Sequence, residues 1–274
     1  MKKYRVCVVG DHHAGHMAGL TPPSFWRNDL QWIQQPFWEW FKEEMSFMEP
    51  FDGVFHVGDA VDGPGKKENH EHLTTDMSLQ QEIAIETLKA IPVKRGKAPG
   101  GGSRWLFTLG SPYHVTGKEE WEDEVADAFN SDTLEEPTCR IWDWKIHLRH
   151  VVGGSSTAEG PVRQIKTELV RCRLRSGLTE GYTPNFVIRG HLHQFHQVRD
   201  RMGIGMINPG LKLPGEVYGR NIRGVYYDVG FTELVFREDG FVEIWPHLMP
   251  LRMYWNWEFQ GWTKEEENER IERS

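Results

Sequence analysis

Five short apolar runs in this chain stop at one kind of punctuation, a glycine turn set among aspartate or histidine. Val6–Val9 runs into Gly10-Asp11-His12-His13, and Val54–Val57 into Gly58-Asp59-Ala60-Val61-Asp62-Gly63. Trp105–Leu109 runs into Gly110-Ser111-Pro112-Tyr113-His114. Ile146–Val152 carries His150 just before Gly153-Gly154, and Phe186–Ile188 is followed by Gly190-His191-Leu192-His193. A continuous apolar run of this length reads as a strand covered on both faces. The early strands alternate with helical patterns over Pro36–Met48, Thr75–Leu88, Lys118–Phe129 and Val162–Arg175. After about residue 204 only short strands follow, at Met206–Asn208, Gly224–Asp228, Glu233–Phe236 and Val242–Trp245. The pattern predicts an α/β fold of two packed mixed β-sheets flanked by helices, one domain over residues 1–250. Residues 251–274 read as a charged C-terminal tail or helix, opened by a Thr263 to Glu266 capping box.

Composition excludes several classes. No apolar run approaches the ~18–20 residues of a membrane span. The MKKYRVCVVG start reads as a first strand rather than a secretory leader, because it runs into Asp11 with no small-residue cleavage site. Cys7, Cys139 and Cys172 form no spaced pair, which points away from a disulfide framework and towards a reducing, cytoplasmic setting. A formal charge of −8 argues against wrapping duplex nucleic acid but leaves room for a locally basic cleft. One helical face carries Arg163, Lys166, Arg171, Arg173 and Arg175; with Arg199 and Arg201 it reads equally as a solvated face or as a surface steering phosphate-rich substrates. Trp26, Trp32, Trp38 and Trp40 read as packing rather than a base-stacking platform.

Ligands of open α/β sheets collect at the carboxyl ends of strands. Five such ends bring Asp11, His13, Asp59, His114, His150, His191 and His193 to one rim. Side chains alternate on an extended segment, so both members of Asp11-x-His13 and of His191-x-His193 point to one face. Imidazole and carboxylate without thiolate suit zinc, manganese, iron or nickel better than Cu(I) or calcium. Two such ions ~3.5–4 Å apart can clamp the attacking and leaving oxygens of a phosphoryl transfer. Asp62, followed by Gly63, reads as a turn former. His12, His16 and His196 read as supporting or surface groups, and His70 and His72 as solvated. An H-x-H-x-D-H set is not supplied by DHHAGH, and H-E-x-x-H is absent, so two other metal-hydrolase classes are set aside.

Asp11-x-His13, Gly58-Asp59-x-x-Asp62, the lone His150 and Gly190-His191-x-His193 resemble, in order and spacing, the calcineurin-like metallophosphoesterase superfamily. The GDAVDG, GSPYHV and NPGLKLP stretches look more particularly like its phage and prophage members. The resemblance implies a four-layer αββα sandwich, with two divalent metal ions, manganese first and zinc, iron or nickel as alternatives. It implies that Asp11, His13 and His193 hold one ion, that His150 and His191 hold the second, and that Asp59 bridges both. It further implies a phosphate-ester substrate, nucleic acid among the candidates, and a hydroxide between the ions attacking phosphorus in line, in the cytoplasm of a bacterial host. The family usually has Gly-Asn-His where this chain has Gly110-Ser111-Pro112-Tyr113-His114. Ser111 stands at the position of a metal-ligating asparagine. His114 comes two residues late and has two roles open to it, general acid for the leaving oxygen or replacement metal ligand. The expected activity is phosphodiester hydrolysis, nuclease activity being one form. The alternatives are a phosphomonoesterase or protein phosphatase, or a degenerate metal-binding partner module without turnover.

Overall fold

In the computed structural model, which describes residues 1–64, 71–111, 121–153, 157, 159–178, 183–214 and 227–250, the first apolar run is buried on both faces. Cys7 and Val9 face a helical layer, while Val6 and Val8 face a second sheet. That double burial is why the strand is apolar without alternation. The strands are β1 (Lys3–Val9), β2 (Gly53–His56), β3 (Trp105–Thr108), β4 (Thr133–Leu134), β5 (Thr138–Ile141), β6 (Trp144–Arg149), β7 (Phe186–Arg189), β8 (His196–Asp200), β9 (Gly203–Ile207), β10 (Gly230–Arg237) and β11 (Val242–Leu248). The helices are α1 (Gln31–Phe47), α2 (Met77–Leu88), α3 (Trp121–Asp127) and α4 (Gly160–Leu178).

The first sheet has the order β11-β10-β1-β2-β3-β4 and the second β5-β6-β7-β9-β8. β1 to β4 run parallel, and β10 and β11 are antiparallel additions. In the second sheet β6, β7 and β9 are parallel between antiparallel edges. Three apolar clusters fill the three gaps between four layers. Ile33, Phe37, Phe41 and Met45 of α1, Ile83 and Leu88 of α2 and Val125 of α3 pack on the outer face of the first sheet. Val6, Val8, Phe55, Ile146, Leu148, Phe186, Ile188 and Phe236 fill the space between the sheets. Ile165 and Leu169 of α4 cover Val187 and Ile207 on the outer face of the second. The two mixed sheets flanked by helices are therefore those the strand and helix pattern predicts.

Details differ from the sequence reading. α1 starts at Gln31 and continues through Pro36, and its buried stripe ends at Met45, leaving Phe47 exposed. α2 begins at Met77, where Asp76 caps it by accepting from the Ser78 and Leu79 amides. β6 ends at Arg149, so His150 falls in the turn after the strand. β4, β5 and β8 were not legible: β4 is two residues long, and β8, HQVRD, is a polar edge strand. Of the expected strand at 224–228, residues 224–226 lie outside the described residues, and Tyr227 and Asp228 lie in the loop before β10. The tail 251–274 and His114 also lie outside them. No helix among the described residues is long and apolar enough to cross a membrane.

Candidate metal centre

Parallel strands end at the same edge, and here two sets of such ends meet. Asp11, His13 and His193 form one group of ligand atoms all within 4.8 Å of one another; Asp59, His150 and His191 form another. In the first, His13 Nε2 lies 3.2 Å from His193 Nε2, and His193 Nε2 lies 3.3 Å from Asp11 Oδ1. In the second, His150 Nε2 lies 2.9 Å from Asp59 Oδ2 and 3.3 Å from His191 Nδ1. Asp59 Oδ2 is also 3.9 Å from His13 Nε2, so this carboxylate faces both groups. The His191 amide donates to the Asp11 carboxylate, at 3.1 Å to Oδ2. Asp11, Asp59, His13 and His150 are buried, while His191 is exposed and forms the open side.

The backbone is strained at these residues. Asp11, His13, Asp59, His191 and His193 all have positive φ, between 46° and 76°. Each such non-glycine residue costs on the order of 1–3 kcal/mol and persists only where its surroundings over-determine it. Here the loops after β1 and β2 hold each other: the Asp11 amide donates to the Gly58 carbonyl at 2.8 Å and the His13 amide to that of Asp59 at 3.1 Å. The flanking glycines are steric. A Cβ at Gly58, whose φ is +87°, would lie 2.8 Å from the His150 ring.

Partners behind the ring nitrogens set the tautomers. His150 Nδ1 lies 2.6 Å from the Val57 carbonyl, which only accepts, so Nδ1 carries a proton and Nε2 is the nitrogen turned to Asp59. His13 Nδ1 lies 3.1 Å from Asp62 Oδ1, which turns His13 Nε2 towards His193 in the same way. His13 Nε2 and His193 Nε2 stand 3.2 Å apart beside the buried Asp11 carboxylate, an arrangement that a cation between them would satisfy. The donor set, two imidazoles and a carboxylate per group, fits a borderline divalent transition ion. Burial alone would lower the His150 imidazole, but the Asp59 and Asp11 carboxylates and the Val57 carbonyl push it up to about 10. Burial would raise the Asp62 carboxyl, but His13 and His72 hold it far below the ordinary carboxylate range.

Ser111 donates to Asp59 from its amide at 2.6 Å and from its hydroxyl at 3.4 Å. Asp62 and His72, read otherwise in sequence, and Glu122, which the sequence did not single out, also belong here. Asp62 is not merely a turn former: it is buried against His13, and His72, expected to be solvated, lies 3.2 Å from it with its side chain 8% exposed. Glu122 of α3 is wholly buried and accepts from the Ala60 amide at 2.7 Å and the Gly110 amide at 2.5 Å, tying the loops after β2 and β3 together. Burial, then the Asp59 charge, pushes it up to about 7. Nothing local marked Glu122 beyond its place in an acidic first turn. His12 is buried and stacked on His56, and His16 lies 3.4 Å from Glu71. His196 sits on β8, outside both groups.

No protein-family model and no curated protein matches the sequence. Among solved structures, vacuolar protein sorting 29 from Cryptosporidium parvum is 11% identical, with 90% of this chain and 98% of that one covered and a TM-score of 0.48. Vps29 complexed with zinc from Entamoeba histolytica is 12% identical over 89% and 98% of the two chains, with a TM-score of 0.43. YfcE, a phosphoesterase from E. coli, is 10% identical over 87% and 96%, with a TM-score of 0.39. At such identities the side-chain chemistry has to be judged from this chain's own residues.

Proposed function

We propose that this chain is a dinuclear metal-dependent phosphoesterase of the calcineurin-like type, acting first on phosphodiesters. The observation that supports this reading best is Asp59, a buried carboxylate that faces both three-residue groups at once. Asp11, His13 and His193 would hold one divalent cation, and Asp59, His150 and His191 a second, with manganese the first candidate. Such a pair, when bound, supplies Lewis acidity for a phosphoryl oxygen and lowers the pKa of a water. The chain does the rest. Asp62 and the Val57 carbonyl keep the ring protons on His13 Nδ1 and His150 Nδ1. Glu122 and Ser111 hold Asp59 and its loop in place. His191, on the exposed side, leaves room for a phosphate ester to approach. His114 is assigned the proton for the leaving oxygen. Residues 1–250 form the catalytic domain, and the free thiols of Cys7, Cys139 and Cys172 fit a reducing cytoplasm.

The test is hydrolysis of a chromogenic phosphodiester and its monoester by metal-stripped protein, with manganese, zinc, nickel or magnesium added back in turn. Metal-dependent diester cleavage, strongest with manganese, is the expected result. Metal binding with no turnover by any ion would overturn the enzyme reading in favour of a binding module, for which Ser111 at the usual asparagine position is the specific reason.

A second expectation concerns Asp62. In Asp62→Asn the charged acceptor behind His13 Nδ1 is lost, and such partners typically carry 10–100-fold in metal affinity. Manganese affinity, measured by titration calorimetry, is expected to fall by about that factor with the fold retained by circular dichroism. An unchanged affinity would remove Asp62 from this role.

A further inference from the structure

On the opposite face of the second sheet lies a separate charged cavity. β6 and β7 are parallel neighbours with Arg149 opposite Arg189, Arg149 one residue before His150 and Arg189 two before His191. Val187, two residues before Arg189, packs on α4, so alternation turns Arg189 and Arg149 to the α4 side, away from the metal centre. α4 supplies Glu168, Arg171, Cys172 and Arg175 from one helical face, and the segment before β5 supplies Glu136. Together with His147 they line a cavity of about 80 Å³. At 10–15 Å³ per water-sized group this is room for roughly five to eight such groups, the scale of a tetrahedral oxyanion.

The charges do not cancel. Four guanidinium groups line the cavity against two carboxylates. Each carboxylate is shared. Glu168 takes Arg189 and Arg171, both at 3.1 Å, and Glu136 takes Arg149 at 3.3 Å and Arg175 at 3.5 Å. Glu135 also reaches Arg149, at 4.0 Å and with its side chain 76% exposed. His147 Nδ1 faces Arg189 Nη1 at 3.2 Å, so its proton lies on Nε2 towards Glu136 and the ring adds no charge. Burial, then the Arg189 charge, lowers its pKa accordingly. Arg189 is fully buried at the base, and its guanidinium is oriented by Glu168 and by the Ile188 carbonyl at 2.8 Å. Glu168, His147, the Ile188 carbonyl and Cys172 already surround the Arg189 guanidinium, so the groups that would meet an incoming anion are those of Arg149, Arg171 and Arg175, whose side chains are 32%, 64% and 69% exposed; guanidinium forks suit phosphate oxygens.

We propose that this cavity is a binding site for a phosphate dianion, the species whose two charges match the surplus of two guanidinium groups over carboxylates. The site is separate from the metal centre and its occupancy does not depend on the catalytic reading. The dianion has two sources, free inorganic phosphate or the terminal monoester of a larger molecule.

The test titrates inorganic phosphate into metal-stripped protein by calorimetry at constant ionic strength in chloride. Saturable binding of one phosphate per chain is expected. It should weaken tenfold or more in Arg149→Gln and Arg175→Gln, remain in Asp59→Asn, and tighten several-fold in Glu136→Gln. Tightening on removal of a carboxylate is a change that a damaged fold does not produce. Phenyl phosphate competing for the same site would identify a terminal monoester as the ligand, and its failure to compete would identify free phosphate; both support the dianion site. No saturable binding, or binding lost in Asp59→Asn and indifferent to Arg149, Arg175 and Glu136, overturns the proposal.

Discussion

Asp59→Asn is expected to lower phosphodiester turnover by about a thousand-fold and to reduce bound manganese from two ions per chain to one. Asp59 Oδ2 stands 2.9 Å from His150 Nε2 and 3.9 Å from His13 Nε2, so one oxygen serves both groups. Asparagine keeps the size and one carbonyl oxygen but loses the charge. Metal polarisation of a phosphoryl oxygen is worth several kcal/mol, and each 1.36 kcal/mol is tenfold in rate; losing one of two cations therefore reaches about three orders of magnitude. The group of Asp11, His13 and His193 keeps its own carboxylate and is expected to retain its ion. Metal content by elemental analysis after desalting, beside turnover, reads both effects. Two ions retained together with full activity would remove Asp59 from the bridging role.

Gly110→Ala is expected to cost about 1–3 kcal/mol of stability by overpacking and about a hundred-fold in turnover. A Cβ at Gly110 would stand 2.2 Å from Asp59 Oδ1 and 2.6 Å from the Asp59 amide nitrogen. Ordinary contact requires Asp59 to withdraw by about 1 Å, and a displacement of that size at a reacting centre costs about 10²-fold. The Asp59 backbone cannot withdraw alone, because the His13 amide donates to the Asp59 carbonyl and the next residue's amide, Ala60, donates to Glu122. Gly102→Ala is the control, since a Cβ there meets nothing within 4 Å. Chemical denaturation and turnover of the two variants separate the steric effect at Gly110 from a general cost of replacing loop glycines. Equal behaviour of the two would mean that the loops after β2 and β3 yield freely.

The residues around Asp59 also show where local reading ends. The β1 run, the glycine closing it and Asp11-x-His13 are neighbours in sequence, and the chemistry that links them is local. An apolar strand covered on both sides needs no alternation, and a turn at its end needs glycine or a residue forced to positive φ. Asp11, His13, Asp59, His150, His191 and His193 were therefore legible as strand-end residues, and the tertiary structure places them in two adjoining groups. Helix starts were less legible. α1 runs back past Pro36 to Gln31 because Ile33 and Phe37 have a sheet face to cover.

What sequence by itself determined about this protein was the set of apolar strands β1, β2, β3, β6 and β7, the glycine turns after them and the imidazole and carboxylate residues standing there, because each depends on residues within a few positions. What only the tertiary structure decided was which polar groups stand behind those residues. Asp62 meets His13 across 49 positions and Glu122 meets Ala60 across 62, so no periodicity records either contact. Arg149 precedes His150 by one residue and Arg189 precedes His191 by two, yet both arginines serve a different cavity. Successive side chains on a strand point to opposite faces, and only the packing of α4 on one of those faces gives the arginines something to enclose.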